Sequence, residues 1–174
     1  MRKLLLAWLL LTLPAWADSE VRVGSKAFPE SWILGDALTL LARGTGARVE
    51  HKDNLGATQV AYEALLQGSI DVYPEYTGTV AEVFLKHLEH PSEADMLEAL
   101  AADGIGMSYP LGFNDSYGLA LREEVAARLG LERVSQLAQH PELEYGLTPE
   151  FVGRKDGWPG LKRAYGLQPR TLTQ

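Results

Sequence analysis

At 174 residues, of which 46% are apolar and 22% charged, the chain has the composition of an ordered globular protein, enough for one sizeable domain or two small ones. Its formal charge of −7 argues against nucleic acid and anionic membrane surfaces as partners. The absence of cysteine rules out thiol catalysis and disulfides, and speaks against a lipid anchor carried on an N-terminal cysteine.

The N-terminus has the three parts of a secretory signal peptide: Met1-Arg2-Lys3, an apolar run from Leu4 to Leu13, and Ala15-Trp16-Ala17. That run is shorter than the about 20 residues a membrane span needs. Cleavage after Ala17 would remove Arg2 and Lys3 from the 16 basic side chains, leaving 14 against 23 acidic ones. A buried N-terminal helix is the alternative reading. The expected organisation is a signal peptide over 1–17, a first α/β lobe over 18–107 and a partial second α/β lobe over 108–174.

Val21 to Ser25 alternates as a strand, and Lys26-Ala27-Phe28-Pro29 turns into a helix with Pro29 at its first position. Ile33, Leu34, Ala37, Leu38 and Leu41 follow at helical spacing and predict its buried face. Gly44 and Gly46 end it. Val49 to Lys52 reads as a second strand, and Gln59 to Leu66 as a second helix stopped by Gly68. Ile70 to Tyr73 reads as a third, buried strand that Pro74 halts. The rhythm is that of a parallel sheet covered by helices. Thr79 with Glu82 has capping-box spacing, which predicts Thr79 as N-cap of a helix starting near Val80. Tyr76 would then stand at a helix mouth, where free N–H groups favour anions.

A helix from Ser92-Glu93-Ala94-Asp95 to about Ala102 comes next. Two extended runs, Ile105 to Leu111 and Tyr117 to Leu121, flank the turn at 112–115, and a lobe boundary is expected near Met107. Further helices are expected over Glu123 to Leu129 and Val134 to Ala138, with a strand over Leu143 to Leu147. Thr148-Pro149 should open another helix, and Leu161 to Tyr165 a last helical turn. The end of the chain reads as a polar run without a strand.

His51, His87, His90 and His140 lack a metal-ligand spacing; His87 and His90 fit a solvated helix face better. No Gly-x-Ser-x-Gly elbow, dinucleotide fingerprint or phosphate loop is present, so hydrolase and nucleotide-binding readings have no support. Asp71 and Glu75 could pair as catalytic acids, but Asp71 opens a strand, where a solvated or capping role is commoner. Tyr76 and Tyr117 lie in Gly- and Asp/Asn-rich loops at strand ends, where α/β ligand sites form. Lys26 and Arg154, taken singly, read as surface charges.

Four ordered motifs change that reading. Val23-Gly24-Ser25-Lys26-x-Phe28-x-Glu30, Asp71-Val72-Tyr73-Pro74-Glu75-Tyr76-Thr77-Gly78-Thr79, Pro110-Leu111-Gly112-Phe113-Asn114-Asp115-Ser116-Tyr117 and Glu150-Phe151-x-x-Arg154-x-Asp156-Gly157-Trp158-Pro159-Gly160-Leu161 resemble the osmoprotectant (glycine betaine, carnitine, choline) substrate-binding proteins of ABC importers. The resemblance runs from Val21 to about Leu167. It implies a type II periplasmic-binding-protein fold, two α/β lobes with the second incomplete, and no enzymatic activity or cofactor. It further implies a periplasmic monomer that hands a small quaternary-ammonium ligand to an ABC permease. On matching positions, Tyr76 and Tyr117 would form an aromatic cage for the ammonium, with Asp115 adding negative field. Lys26, Thr79 and Arg154 would hold a carboxylate, which tilts the expected ligand toward glycine betaine. Another small amine or amino-acid-like zwitterion, a non-binding remnant and, less so, an exported enzyme are the alternatives.

The family continues beyond the matched part with further cage tyrosines and a second hinge strand. Expected explanations are a truncated reading frame, a second polypeptide completing the fold, or a degenerate remnant. A chain ending at Gln174 should bind betaine weakly or not at all, and its second lobe should be marginally stable.

Overall fold

Residues 20–174 are described by the computed structural model of the chain. The expected signal peptide lies outside the described residues. Contacts divide the chain after Pro74 into two units, so that Met107 falls within the second.

In the first unit, β1 (Glu20–Gly24) pairs in parallel with β2 (Arg48–Lys52), with Val23 opposite His51. On the other side of β1, Val23 bridges Val72 in parallel, and the Gly24 N–H donates to the Val72 carbonyl at 2.8 Å. The third strand expected over Ile70 to Tyr73 is thus shortened to one bridge, with Ile70 buried and Val72 exposed. Pro74 has no N–H to extend the ladder. The order of the segments is still that of a parallel sheet, with β1 central.

Helix α1 (Pro29–Gly44) starts on Pro29 as expected and packs on β1 and β2. Its buried face differs from the expected one. Ser31, Gly35 and Thr39 are turned inward, while Ile33 and Leu41 are 68% and 70% exposed. Small side chains four residues apart let the helix axis come close to the sheet, which an Ile or Leu stripe would prevent. The Thr39 hydroxyl is buried without a hydrogen-bond partner. Replacing it with the isosteric valine (Thr39→Val) removes an unpaired polar group from the interior. We expect a gain of about 1 kcal/mol, measured as a raised thermal midpoint. Helix α2 (Thr58–Leu66) follows, with Ala61 fully buried.

The second unit begins with α3 (Thr77–Thr79), which widens into a π-helical turn over Val80–Phe84. Tyr76, not Thr79, is the N-cap. Thr79 has helical φ and ψ of −72° and −41°, whereas an N-cap needs extended backbone, and its N–H already donates to the Tyr76 carbonyl at 2.9 Å. Helix α4 (Glu93–Ala102) carries the expected start as a capping box, with Ser92 and Asp95 bonding reciprocally. Residues 105–122 contain no helix or paired strand, and Tyr109, Leu111 and Phe113 are exposed there.

Helix α5 (Glu123–Leu129) and a 3-10 turn (Val134–Gln139) lead to β3 (Glu144–Gly146). Helix α6 (Pro149–Gly153) is capped by Thr148, whose hydroxyl accepts from the Phe151 N–H at 3.3 Å, and α7 (Trp158–Tyr165) follows. The last residues depart from expectation. Thr171–Thr173 forms β4, parallel to β3 with Tyr145 opposite Leu172. Two β-branched threonines suit an extended backbone, and the Thr173 hydroxyl adds a bond to the Tyr145 carbonyl at 3.2 Å. Tyr145, Phe151, Trp158 and Leu167 form the core of this region, with the Tyr145 and Trp158 rings 5.3 Å apart. Among the described residues no helix is long and apolar enough to cross a membrane.

Candidate functional site

In the second unit, the turn into α3 and the segment after α6 bring Thr79 and Arg154 together across 75 positions of sequence. Arg154 is only 8% exposed, and its Nη1 donates to the buried Thr79 hydroxyl at 3.0 Å, while Nη2 reaches the Gly78 carbonyl at 3.4 Å. The other edge of the guanidinium grips Asp156 in a fork, Nε to Oδ1 at 2.9 Å and Nη2 to Oδ2 at 2.7 Å. Hydrogen bonding to Asp156 raises the guanidinium's pKa further above its ordinary value, so Arg154 is a permanent cation. Its charge lies 5.8 Å from the centre of the Tyr117 ring. That ring also packs on Phe151, centroids 4.7 Å apart, yet Tyr117 remains 62% exposed.

Thr79, Tyr117 and Arg154 are therefore neighbours. The Tyr117 phenol is pushed up chiefly by its partial burial, opposed by Arg154; Asp115, exposed on the same loop, contributes a smaller push upward. Tyr76, half-buried, directly precedes α3, and its N–H donates to the Glu75 carboxylate at 2.9 Å.

Lys26 belongs to the first unit and is no surface charge. It is 3% exposed, its backbone N–H donates to the Ser31 hydroxyl at 2.8 Å, and its ammonium donates to the Thr58 hydroxyl at 3.3 Å. The ammonium also lies 5.4 Å from the Phe28 ring centre. A lysine is rarely buried this deeply unless its charge has partners or a use.

Asp71 is committed elsewhere. Its carboxylate accepts from Arg22 Nη2 at 2.7 Å, Nε at 3.0 Å and the backbone N–H at 2.7 Å, and this bonding holds it below the usual aspartate range. A depressed pKa stabilises the fold above the unfolded value of about 3.9, and the contribution disappears as pH falls through the lowered value. Asp71→Asn should therefore melt below the wild type at pH 7, and the two midpoints should converge in acid.

His87 and His90 are exposed in turns rather than on a helix, and among the described residues no group of three metal-ligating side chains occurs. His51 has a role that sequence spacing did not reveal. Its Nε2 lies 2.9 Å from the Ser25 hydroxyl and its Nδ1 2.9 Å from the Asp36 carboxylate. The order is that of a hydrolytic triad, but Ser25 is 0% exposed, so no substrate carbonyl can reach it. An open cleft of about 800 Å³ lined by Trp158, Lys162, Leu167, Pro169 and Leu172 contains none of the six expected site residues. Asp156 and Phe151 are legible within the fourth motif, and Ser25 within the first, but are not singled out there; no spacing links Ser25 to Asp36 and His51.

The parallel α/β units, together with a solved neighbour, define a protein of the type II periplasmic-binding-protein fold. Apo YehZ from Escherichia coli superposes with a TM-score of 0.56 at 26% identity, over 89% of this chain and 61% of that one. The family model described as the substrate-binding domain of ABC-type glycine betaine transport systems matches residues 19–174, and the chain belongs to this family. A glycine-betaine-binding protein of Pseudomonas aeruginosa is 34% identical over 182 residues, 95% of this chain and 58% of the relative. The ergothioneine transport permease/ergothioneine binding protein EgtU of Helicobacter pylori is 32% identical over 176 residues, 97% of this chain and 32% of the relative. The chain thus spans a third to three fifths of the length of these relatives, one a transport permease and binding protein and the other a binding protein.

Proposed function

We propose that the chain is the ligand-binding part of a periplasmic receptor for a small zwitterion with a quaternary ammonium and a carboxylate, glycine betaine being favoured, which it passes to an ABC permease. The observation that carries this reading is the juxtaposition of Arg154 and Tyr117 at 5.8 Å. In glycine betaine the opposite charges are separated by a single methylene, so cation and anion subsites must adjoin. A quaternary ammonium has no N–H to donate, and an exposed aromatic surface is what attracts it, at about 0.5–2 kcal/mol per contact. The carboxylate needs donors; a charge-assisted one is worth about 1.5–3 kcal/mol, which favours betaine over choline. Arg154 and Thr79 supply such donors in the second unit; Lys26, in the first, is proposed by itself as a cationic donor. Tyr76 is proposed as a second aromatic wall and Asp115 as a source of negative field.

The relatives named for glycine betaine and for ergothioneine support the class, since both molecules join a trimethylammonium to a carboxylate. Export through the N-terminal segment belongs to the same proposal. Saturation-transfer NMR for weak binding, with titration calorimetry for tight binding, tests it. Glycine betaine should receive transfer from the chain more strongly than choline, and Tyr117→Ala should weaken it by about 0.5–2 kcal/mol. Absence of both transfer and binding heat with either compound, or conversion of betaine to a product on incubation, would overturn the reading.

A further inference from the structure

We propose that His51 is a positioning residue for Lys26, fixing the loop from Ser25 to Phe28 through the Ser25 hydroxyl; the proposal deepens the zwitterion-receptor reading and rests on it for its consequence on ligand choice. His51 stands on β2 and touches α1 through Asp36 and the end of β1 through Ser25, so one ring ties together the three elements around the loop. A carboxylate can only accept, so the ring nitrogen facing Asp36 carries hydrogen. In the neutral ring that leaves Nε2 as acceptor, and the Ser25 hydroxyl donates to it. The hydroxyl is thereby held in one orientation, one residue before Lys26.

The rest of the loop is anchored by the segment that follows β2 and by α1. The Leu55 N–H donates to the Ser25 carbonyl at 3.0 Å, the Ala27 N–H to the Gly56 carbonyl at 3.0 Å, and the Lys26 N–H to Ser31. A lysine side chain has four rotatable bonds, and its ammonium is aimed only as well as its backbone is held. Ser25, although buried with a histidine and an aspartate in line, serves geometry and not chemistry.

The test uses the whole chain and two readouts. Acetylation of the Lys26 amine, followed by mass spectrometry against exposed Lys155, reports how tightly the loop is held without any ligand. His51→Leu removes both contacts, His51→Asn keeps only a group at the Nδ1 position facing Asp36, and His51→Gln keeps only one at the Nε2 position facing Ser25. Lys26 should acetylate about fivefold faster in His51→Leu and His51→Asn, as loss of one hydrogen bond allows, and near the wild-type rate in His51→Gln. If His51→Leu does not fold, His51→Asn carries the comparison. Equal Lys26 protection in folded His51→Asn and wild type, or parallel changes at Lys26 and Lys155, would overturn the proposal. In the second readout, His51→Asn should weaken glycine betaine and leave choline, which has no carboxylate, unchanged; equal loss of both would overturn it too. If the wild type binds neither compound, the receptor reading fails while the acetylation rates still decide the role of His51.

Discussion

Replacing Arg154 with alanine is expected to destabilise the second unit by about 2–3 kcal/mol and to abolish discrimination between betaine and choline. The side chain is almost fully buried, and truncation strands the Thr79 hydroxyl and the Gly78 carbonyl without their donors. It also leaves Asp156 without its fork. Removing one partner of a fully buried ion pair costs about 3–5 kcal/mol, but the Asp156 side chain is 38% exposed, so water recovers part of that loss. Arg154→Lys keeps the charge but cannot reach Thr79 and both Asp156 oxygens together, and should fall between alanine and wild type. Urea unfolding followed by the fluorescence of Trp158, in the core of the same unit, measures the effect. An unchanged midpoint for Arg154→Ala would show that the guanidinium contacts carry no stability.

The second large effect is expected at Gly35. In a helix interior Gly→Ala ordinarily adds about 1 kcal/mol of stability, because alanine is the better helix former. Here the added methyl would lie 2.5 Å from His51 Nε2, 3.0 Å from its Cε1 and 3.1 Å from the Ser25 Cβ. The ring is held at both nitrogens and cannot swing away without giving up a hydrogen bond. Gly35→Ala should therefore destabilise by about 1–3 kcal/mol, the range for overpacking, reversing the sign that propensity alone predicts. Thermal unfolding of the variant reads the sign directly, and a stabilised Gly35→Ala would contradict the close packing of α1 on β2.

Much of this architecture was legible because local signals and tertiary packing agree. Pro29 at the start of α1, the Ser92–Asp95 box and the Thr148-Pro149 opening are decided within a turn of helix, and each falls where the spacing put it. The face of α1 was misread because periodicity reports only which residues share a side, and two sides of this helix qualify. Ser31, Gly35 and Thr39 won because closeness to the sheet outweighed side-chain hydrophobicity. Thr79 was misread for a related reason: its hydroxyl has the right spacing to cap, but Arg154, far along the chain, holds it. Of the candidate site, the residue types were visible in the motifs, while the closeness of Arg154 to Tyr117 and the link from His51 to Ser25 exist only once distant segments meet.

Asp156 gives Arg154 a consequence of its own. A ligand carboxylate arriving at this guanidinium would not find a bare cation but one already satisfied on its other edge by an internal anion. Capture would then be an exchange or sharing of carboxylates, with a net gain set by the difference between two similar bonds. Such an arrangement keeps the arginine folded and aimed when no ligand is present. On the proposed reading it would also ease release, since the departing carboxylate leaves behind a counter-ion already in place.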